Sequence, residues 1–292
     1  MVANRYYCLR NQNDSNERLI MFIGHNSDIE LGEFEPVKQL DKKYIFVNEP
    51  NAYLLSNVCT HQRSLISLVK GRGESRTCMY HGREFDMNGY CLKGNCDTLE
   101  KAMLHEWNTL FFDKPFETPE LELPECSVSL VERRTDQVKA HRTSIIDVFL
   151  DVEHIQHLHA GVYDQIGIDS GSEITWNYHD WGSTQIVKGH QGTLQAAWLC
   201  LYPGTMVEWQ SGHFFITVAG KTNHHGYTDV HVYKYRANDS TDENWKLHSY
   251  TWEDAWMQDR MQAELIVPDE NGFDENLEES KLHYRRWMND EQ

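Results

Sequence analysis

The sequence predicts an α+β chain in two parts: a small all-β domain, then a curved antiparallel sheet with helices packed against it. Three observations carry that prediction. From residue 19 to about 112 the chain is a series of short β-prone runs broken by turns. Pro115, Pro119 and Pro124 then fall among acidic residues, a density that reads as an extended crossover. Beyond them, residues 172–236 alternate as a sheet does, between two segments whose apolar residues recur at helical spacing. The expected boundaries are 19–115 for the first domain and 116–292 for the second.

In chain order, residues 1–20 are polar and irregular, and 44–47, 53–55 and 110–112 read as strands. Residues 71–73, Gly-Arg-Gly, read as a loop. The strand pattern resumes at 127–132. Residues 144–159 read as one helix that turns Ile145, Val148, Phe149, Val152 and Ile155 toward the core. Strands are expected at 193–198, 206–209, 213–218 and 230–235. A second helix over 251–267 carries Trp252, Ala255, Trp256, Met261 and Leu265, and the tail at 281–288 is expected to form a last one.

Two ligand clusters stand out in the first part: Cys59-Thr60-His61 and Cys78-Met79-Tyr80-His81, with sixteen residues between them. A plant-type iron–sulfur site would offer four thiols, and a zinc finger Cys-x-x-Cys followed by His-x-x-x-His. One thiol and one imidazole from each cluster suit a [2Fe–2S] centre in which one iron takes two thiolates and the other two histidines, the Rieske ligand set. A zinc site could use the same ligands. Gly82 and Gly89 supply the tight turns such loops need. The segments 57–61 and 78–82 resemble those of Rieske oxygenases. They depart from the usual pattern at Arg83-Glu84-Phe85-Asp86, where Trp commonly follows the Gly, and at Gln62-Arg63, where Arg-Gly is usual. The departures bear on subfamily and cluster tuning more than on cluster binding.

The helix at 144–159 carries Asp151, His154, His157 and His159. Two His and a carboxylate make a facial triad that leaves positions on an iron open to O₂. Residues five apart on a helix point about 140° from each other, so His159 must lie past the helix end, where Gly161 lets the chain turn. His157 breaks the spacing and reads as a polar neighbour. Residues 149–159 resemble the mononuclear-iron helix of Rieske oxygenase α subunits, and the resemblance covers roughly residues 19–267. It implies a Rieske domain followed by a helix-grip-like catalytic domain, with Fe(II) bound by His154, His159 and a later helical carboxylate. Asp259, with Glu264 five residues on, fits that position; Asp254 is the alternative. The resemblance also places Asp151 between the iron histidine and His81 of a neighbouring subunit, as an electron bridge across a homotrimer interface.

The implied activity is that of a terminal oxygenase component that hydroxylates, dihydroxylates or oxidatively demethylates a small organic substrate. No Gly-x-Gly-x-x-Gly run follows a strand, so a ferredoxin or flavin-dependent reductase would supply the electrons. A Rieske electron carrier and a non-catalytic sensor with the same fold remain alternatives. Residues 57–61 also look like enzymes that oxidise choline-type quaternary amines. Trp176, Trp181, Trp198 and Trp209 could form a cation cage, or could fill the sheet core.

Composition excludes other classes. The 292 residues are 40% hydrophobic and 12% aromatic, which is globular and not disordered. A formal net charge of −18 argues against nucleic acid and suits a soluble surface or a basic redox partner. No run of eighteen apolar residues suggests a membrane span, and residues 1–10 do not read as a signal peptide. Cys8, Cys91, Cys96, Cys126 and Cys200 lack framework spacing, which reads as free thiols in a reducing, cytoplasmic setting.

Overall fold

The short β-runs of the first third pair both with their chain neighbours and across long stretches of sequence, as residues 22–25 do with 110–112. The computed structural model describes residues 20–25, 27–48, 51–117, 121, 123, 124, 127–151, 153–159, 161–169, 171–189, 192–202, 204–266, 281, 283, 284 and 286. Two compact units result: of the described residues, Met21–Phe116 form one, and Ile20 with those from Glu117 onward form the other.

The first unit is built of β1 (Phe22–His25), β2 (Glu33–Pro36), β3 (Tyr44–Asn48), β4 (Tyr53–Ser56), β5 (Gly71–Arg72), β6 (Ser75–Thr77), β7 (Glu84–Asp86), β8 (Cys91–Lys93), β9 (Lys101–Met103), β10 (His105–Trp107) and β11 (Leu110–Phe112). These form a five-stranded sheet in the order β5-β2-β3-β4-β9 and two three-stranded sheets, β1-β11-β10 and β6-β7-β8. Ile45, Val47, Leu55 and Phe85 pack with Cys59 and Cys78 in one core.

Two expectations fail in this unit. Gly71 and Arg72 are a strand, not a loop: they pair with Phe34 and Glu33 of β2. A Cβ at Gly71 would meet Phe34 Cζ at 2.6 Å, so glycine here permits close pairing over an aromatic ring. Cys91 and Cys96 are not free thiols but form a disulfide, with Cα atoms 5.9 Å apart. The chain turns back after β8 at Gly94, whose φ is +98°, and that turn brings two cysteines five residues apart face to face. The thiol argument for a reducing compartment therefore falls. Cys200 is a buried free thiol, and Cys8 and Cys126 lie outside the described residues.

The second unit holds β12 (Val128–Val138), α1 (Arg142–Phe149), α2 (Glu153–Leu158), β13 (Glu173–His179), β14 (Gly182–Lys188), β15 (Leu194–Leu201), β16 (Thr205–Gln210), β17 (His213–Thr222), β18 (Thr228–Ala237) and α3 (Asp242–Leu265). Its seven-stranded antiparallel sheet runs β12-β18-β17-β16-β15-β14-β13, a meander from β13 to β18 with β12 added at the β18 edge. The α+β class is as expected, and α1 and α3 pack on the sheet around Tyr202, Phe215, Trp252 and Trp256.

The helix expected over 144–159 is two helices. α1 ends at Phe149, and Asp151 Oδ1 accepts the main-chain N–H of His154 at 3.0 Å, capping the start of α2. Of the residues expected to face the core, Ile145, Val148 and Phe149 are buried and Ile155 is half-buried; Val152 is outside the described residues. α3 begins nine residues before the expected start. Thr241 caps it by accepting from Asn244 N–H at 3.1 Å, and Asp242 and Glu243 suit the positive end of the helix. Its polar first half hides the inward stripe, because a buried His248 stands where an apolar residue would have shown it. In the tail, residues 281, 283, 284 and 286 are helical. No described helix is long and apolar enough to cross a membrane.

A charge network seats α3. Glu253 accepts two bonds from the Arg134 guanidinium, at 2.6 and 3.0 Å, and also pairs with Lys234, which is only 2% exposed. Glu132 pairs with both bases and Asp136 with Arg134. Removing one partner of such a set leaves buried positive charge uncompensated. Glu253 is itself one-third exposed, so the loss is reduced by solvent. Glu253→Gln is expected to destabilise this unit by about 2 kcal/mol in urea denaturation followed by tryptophan fluorescence. An unchanged midpoint would show that the network does not hold the helix.

Candidate metal centres and the adjoining cavity

In the first unit the two ligand loops have the same backbone design. Cys59 N–H donates to Ser64 O at 2.8 Å, and Cys78 N–H to Arg83 O at 2.7 Å. Arg63 N–H returns to Cys59 O and Gly82 N–H to Cys78 O, each at 2.8 Å. The closing residue is left-handed in both loops, with φ +55° at Arg63 and +66° at Gly82. Arg63 thus occupies a position that favours glycine. Cys59 and Cys78 are buried, while His61 and His81 are exposed with ring centroids 4.8 Å apart. Burial pushes the Cys78 thiol up, but main-chain N–H groups of Tyr80 and His81 aimed at the sulfur outweigh it and hold the thiol below its usual value. Two buried sulfurs and two exposed imidazoles fit a cluster of mixed ligation.

In the second unit three ligand atoms converge. His159 Nε2 lies 3.0 Å from His154 Nε2 and 2.9 Å from Asp259 Oδ1, and His154 Nε2 lies 3.3 Å from the same oxygen. His159 sits just past the end of α2, and Gly161, at φ +76°, turns the chain there. Gln258 Oε1 accepts from His159 Nδ1 at 2.8 Å, which leaves Nε2 of the neutral ring as a lone pair. In that tautomer Nε2 faces a carboxylate oxygen and a second imidazole nitrogen, an arrangement that a shared proton or a bound cation would satisfy. Burial would raise the Asp259 pKa, but His154 and His159 hold it below the usual carboxylate range. The donor set, two imidazoles and one carboxylate, fits ferrous iron.

Other candidates lie elsewhere. Asp254 is exposed on the far face of α3, His157 is exposed, and Glu264 accepts from Lys139 N–H at 3.3 Å. Asp151 does not bond the ring of His154. Beside its capping bond, its other oxygen pairs with Lys281 at 2.8 Å. His154 Nδ1 is buried without a partner among the described residues.

A cavity partly open to solvent adjoins the three ligands. Its walls include Phe149, Trp198, Phe215, Trp252 and Trp256. Of the four tryptophans considered for a cage, only Trp198 lines it; Trp181 and Trp209 are buried core and Trp176 stacks on Tyr178. Sequence reasoning missed Glu208, Gln258 and Tyr163. Glu208 is 4% exposed, and burial pushes its carboxyl up to about 7. Gln210 donates to it, the Trp198 indole N–H bonds it, and Tyr163 OH donates at 3.5 Å. A lone Glu within β16, otherwise Thr-Met-Val-Trp-Gln, was the available signal.

Comparison with known proteins adds identity to this geometry. Residues 20–102 match the family model of the Rieske [2Fe-2S] domain. A putrescine 2-hydroxylase of Ralstonia nicotianae is 24% identical over 229 residues, which cover 64% of this chain and 62% of that protein. Another, of Bordetella bronchiseptica, is 24% identical over 208 residues, covering 60% and 47%. The chain thus spans about half to three-fifths of the length of these curated relatives. The solved structure of the quaternary ammonium Rieske monooxygenase CntA with an inhibitor superposes with a TM-score of 0.69 at 14% identity, covering 93% of this chain and 87% of that one. The chain therefore joins a Rieske [2Fe-2S] domain to a second unit with the fold of Rieske oxygenase α subunits.

Proposed function

We propose that the chain is a terminal oxygenase component that hydroxylates a small organic amine. Cys59, His61, Cys78 and His81 hold the Rieske cluster, and His154, His159 and Asp259 hold a mononuclear Fe(II). The observation that carries the reading is the meeting of three ligand atoms beside an aromatic cavity, in a chain with a Rieske domain. When bound, the cluster relays single electrons and the ferrous iron activates O₂.

The chain's residues do the rest. His154, His159 and Asp259 would hold the iron with three ligands only, so that it could also take O₂. Gln258 fixes the ring of His159 with Nε2 free to ligate. Trp198, Trp252 and Phe215 wall the substrate from bulk water. The exposed rings of His61 and His81 give an outside donor access to the cluster, in keeping with delivery by a ferredoxin or a flavin-dependent reductase. The amine follows from the relatives, named for putrescine hydroxylation and for quaternary ammonium oxidation. Asp151, next to the His154 turn, is the proposed bridge to His81 of a neighbouring subunit in a homotrimer.

Iron and acid-labile sulfide per chain, with an electron paramagnetic resonance spectrum after reduction, test the reading first. His154→Ala should lower iron from about three to about two per chain, leave about two sulfides and the Rieske signal, and abolish substrate-dependent O₂ uptake. Turnover that survives in that variant would place the chemistry elsewhere.

Gln258→Leu should weaken iron retention about 10- to 100-fold in a chelator competition, with the Rieske spectrum unchanged. Asp151→Asn should keep both metals and slow reoxidation of the reduced cluster in a single turnover. A wild-type rate there removes Asp151 from the electron route.

A further inference from the structure

The cavity beside the triad carries one charge that the metal chemistry does not use. Glu208 lies on β16, near the middle of the sheet, 4% exposed, with its carboxylate in the cavity wall. Its partners are all neutral donors: the Gln210 amide, the Trp198 indole and, at 3.5 Å, the Tyr163 hydroxyl. Behind it, Gln210 Oε1 accepts from His248 Nδ1 on α3 at 3.1 Å. Burial pushes His248 down to about 4, so that ring is neutral and adds no positive charge. His159 and Asp259 face Glu208 from the triad side. No Lys or Arg is among the described residues lining the cavity.

A buried carboxylate without a cationic partner is costly, and so is retained where a ligand completes it. Aromatic faces of Trp198, Trp252 and Trp256 border the same space and attract cations. Thr217 also lines it, with a buried hydroxyl that has no partner among the described residues. A carboxylate and a hydroxyl accept N–H donors, which a protonated primary or secondary amine has. With no Lys or Arg among the described lining residues, no permanently cationic side chain there offers to hold a substrate carboxylate.

We infer that Glu208 is the substrate-binding residue that anchors the ammonium group of a protonated alkylamine, with Thr217 as a second acceptor and the tryptophan faces as its apolar surround. The inference rests on the oxygenase reading and deepens it: Glu208 sets specificity for cations, and excludes anions, beside the iron. The net charge of −18 favours the approach of the same class of molecule.

The test is isothermal calorimetry on the intact, cluster- and iron-loaded protein without reductant. The probes are 1,4-diaminobutane, the neutral 1,4-butanediol and the anionic succinate. Wild type should bind the diamine in clear preference to both. Glu208→Gln, which keeps size and hydrogen bonding, should weaken the diamine at least about 30-fold and alter the diol by less than about twofold. Glu208→Asp retains charge and should keep the preference for the diamine even where affinity falls. Full diamine affinity in Glu208→Gln overturns the proposal, as does equal binding of diol and diamine by wild type. Loss of iron from Glu208→Gln with diamine binding intact would also overturn it, by showing that the carboxylate serves the metal. Glu208-dependent diamine binding in a wild-type protein that shows no O₂ uptake with reductant would sustain the ammonium site while sinking the oxygenase reading.

Discussion

The second unit depends on α3 holding one rotation over the sheet. At 100° per residue, Trp252, Ala255, Trp256, Asp259 and Ala263 fall within about 100° of arc on one face. Trp252 stacks on Phe215 with planes 10° apart, and Trp256 lies against Phe149 with ring centroids 5.9 Å apart. Those ring contacts fix the helix about its axis, and the Glu253 network with Arg134 and Lys234 fixes it along the sheet. Asp259 is then delivered against two histidines from a different segment. A turn of the helix by one residue would withdraw it.

That dependence explains which parts of the site were legible. Asp259 stands on a stripe otherwise made of Trp and Ala, so its place in the helical period marks it as an inward carboxylate. Asp254 is about 200° from Trp252 and is exposed, as the same geometry requires. The Cys-His and Asp-His-His spacings were legible because ligand chemistry limits which residues can serve. Glu208 was not. β16 is buried on both faces, which erases the alternation that would have shown where the carboxylate points. Gln258 was hidden too, since an amide beside a carboxylate on a polar helix carries no pattern.

The fold followed the same rule. Antiparallel strands with clear alternation could be read, whereas the break between α1 and α2 could not, because apolar residues keep helical spacing across it. The break is set by Asp151, whose side chain takes the N–H of His154 and restarts the helix in a new direction. His154 and His159 would diverge by about 140° if α2 ran on; they meet because α2 ends at Leu158 and the chain turns at Gly161. The disulfide was missed for a related reason. Cys91 and Cys96 sit either side of a turn whose closure depends on a left-handed Gly94, which the cysteine count does not reveal.

The position of Glu208 has an energetic logic that follows from the metal centre. A divalent ion ligated by one carboxylate and two neutral imidazoles retains one positive charge, which disfavours a second cation nearby in a medium of low dielectric. A buried carboxylate in the same cavity removes that repulsion and supplies an acceptor. Its pKa of about 7 reflects a site that burial makes unwelcoming to charge until a positive partner arrives. The Gln210–His248 relay orients the carboxylate without neutralising it, since His248 is itself neutral. A lysine or arginine in Gln210's place would have satisfied Glu208 internally and closed the cavity to cations. An amide there holds the geometry and leaves the charge available.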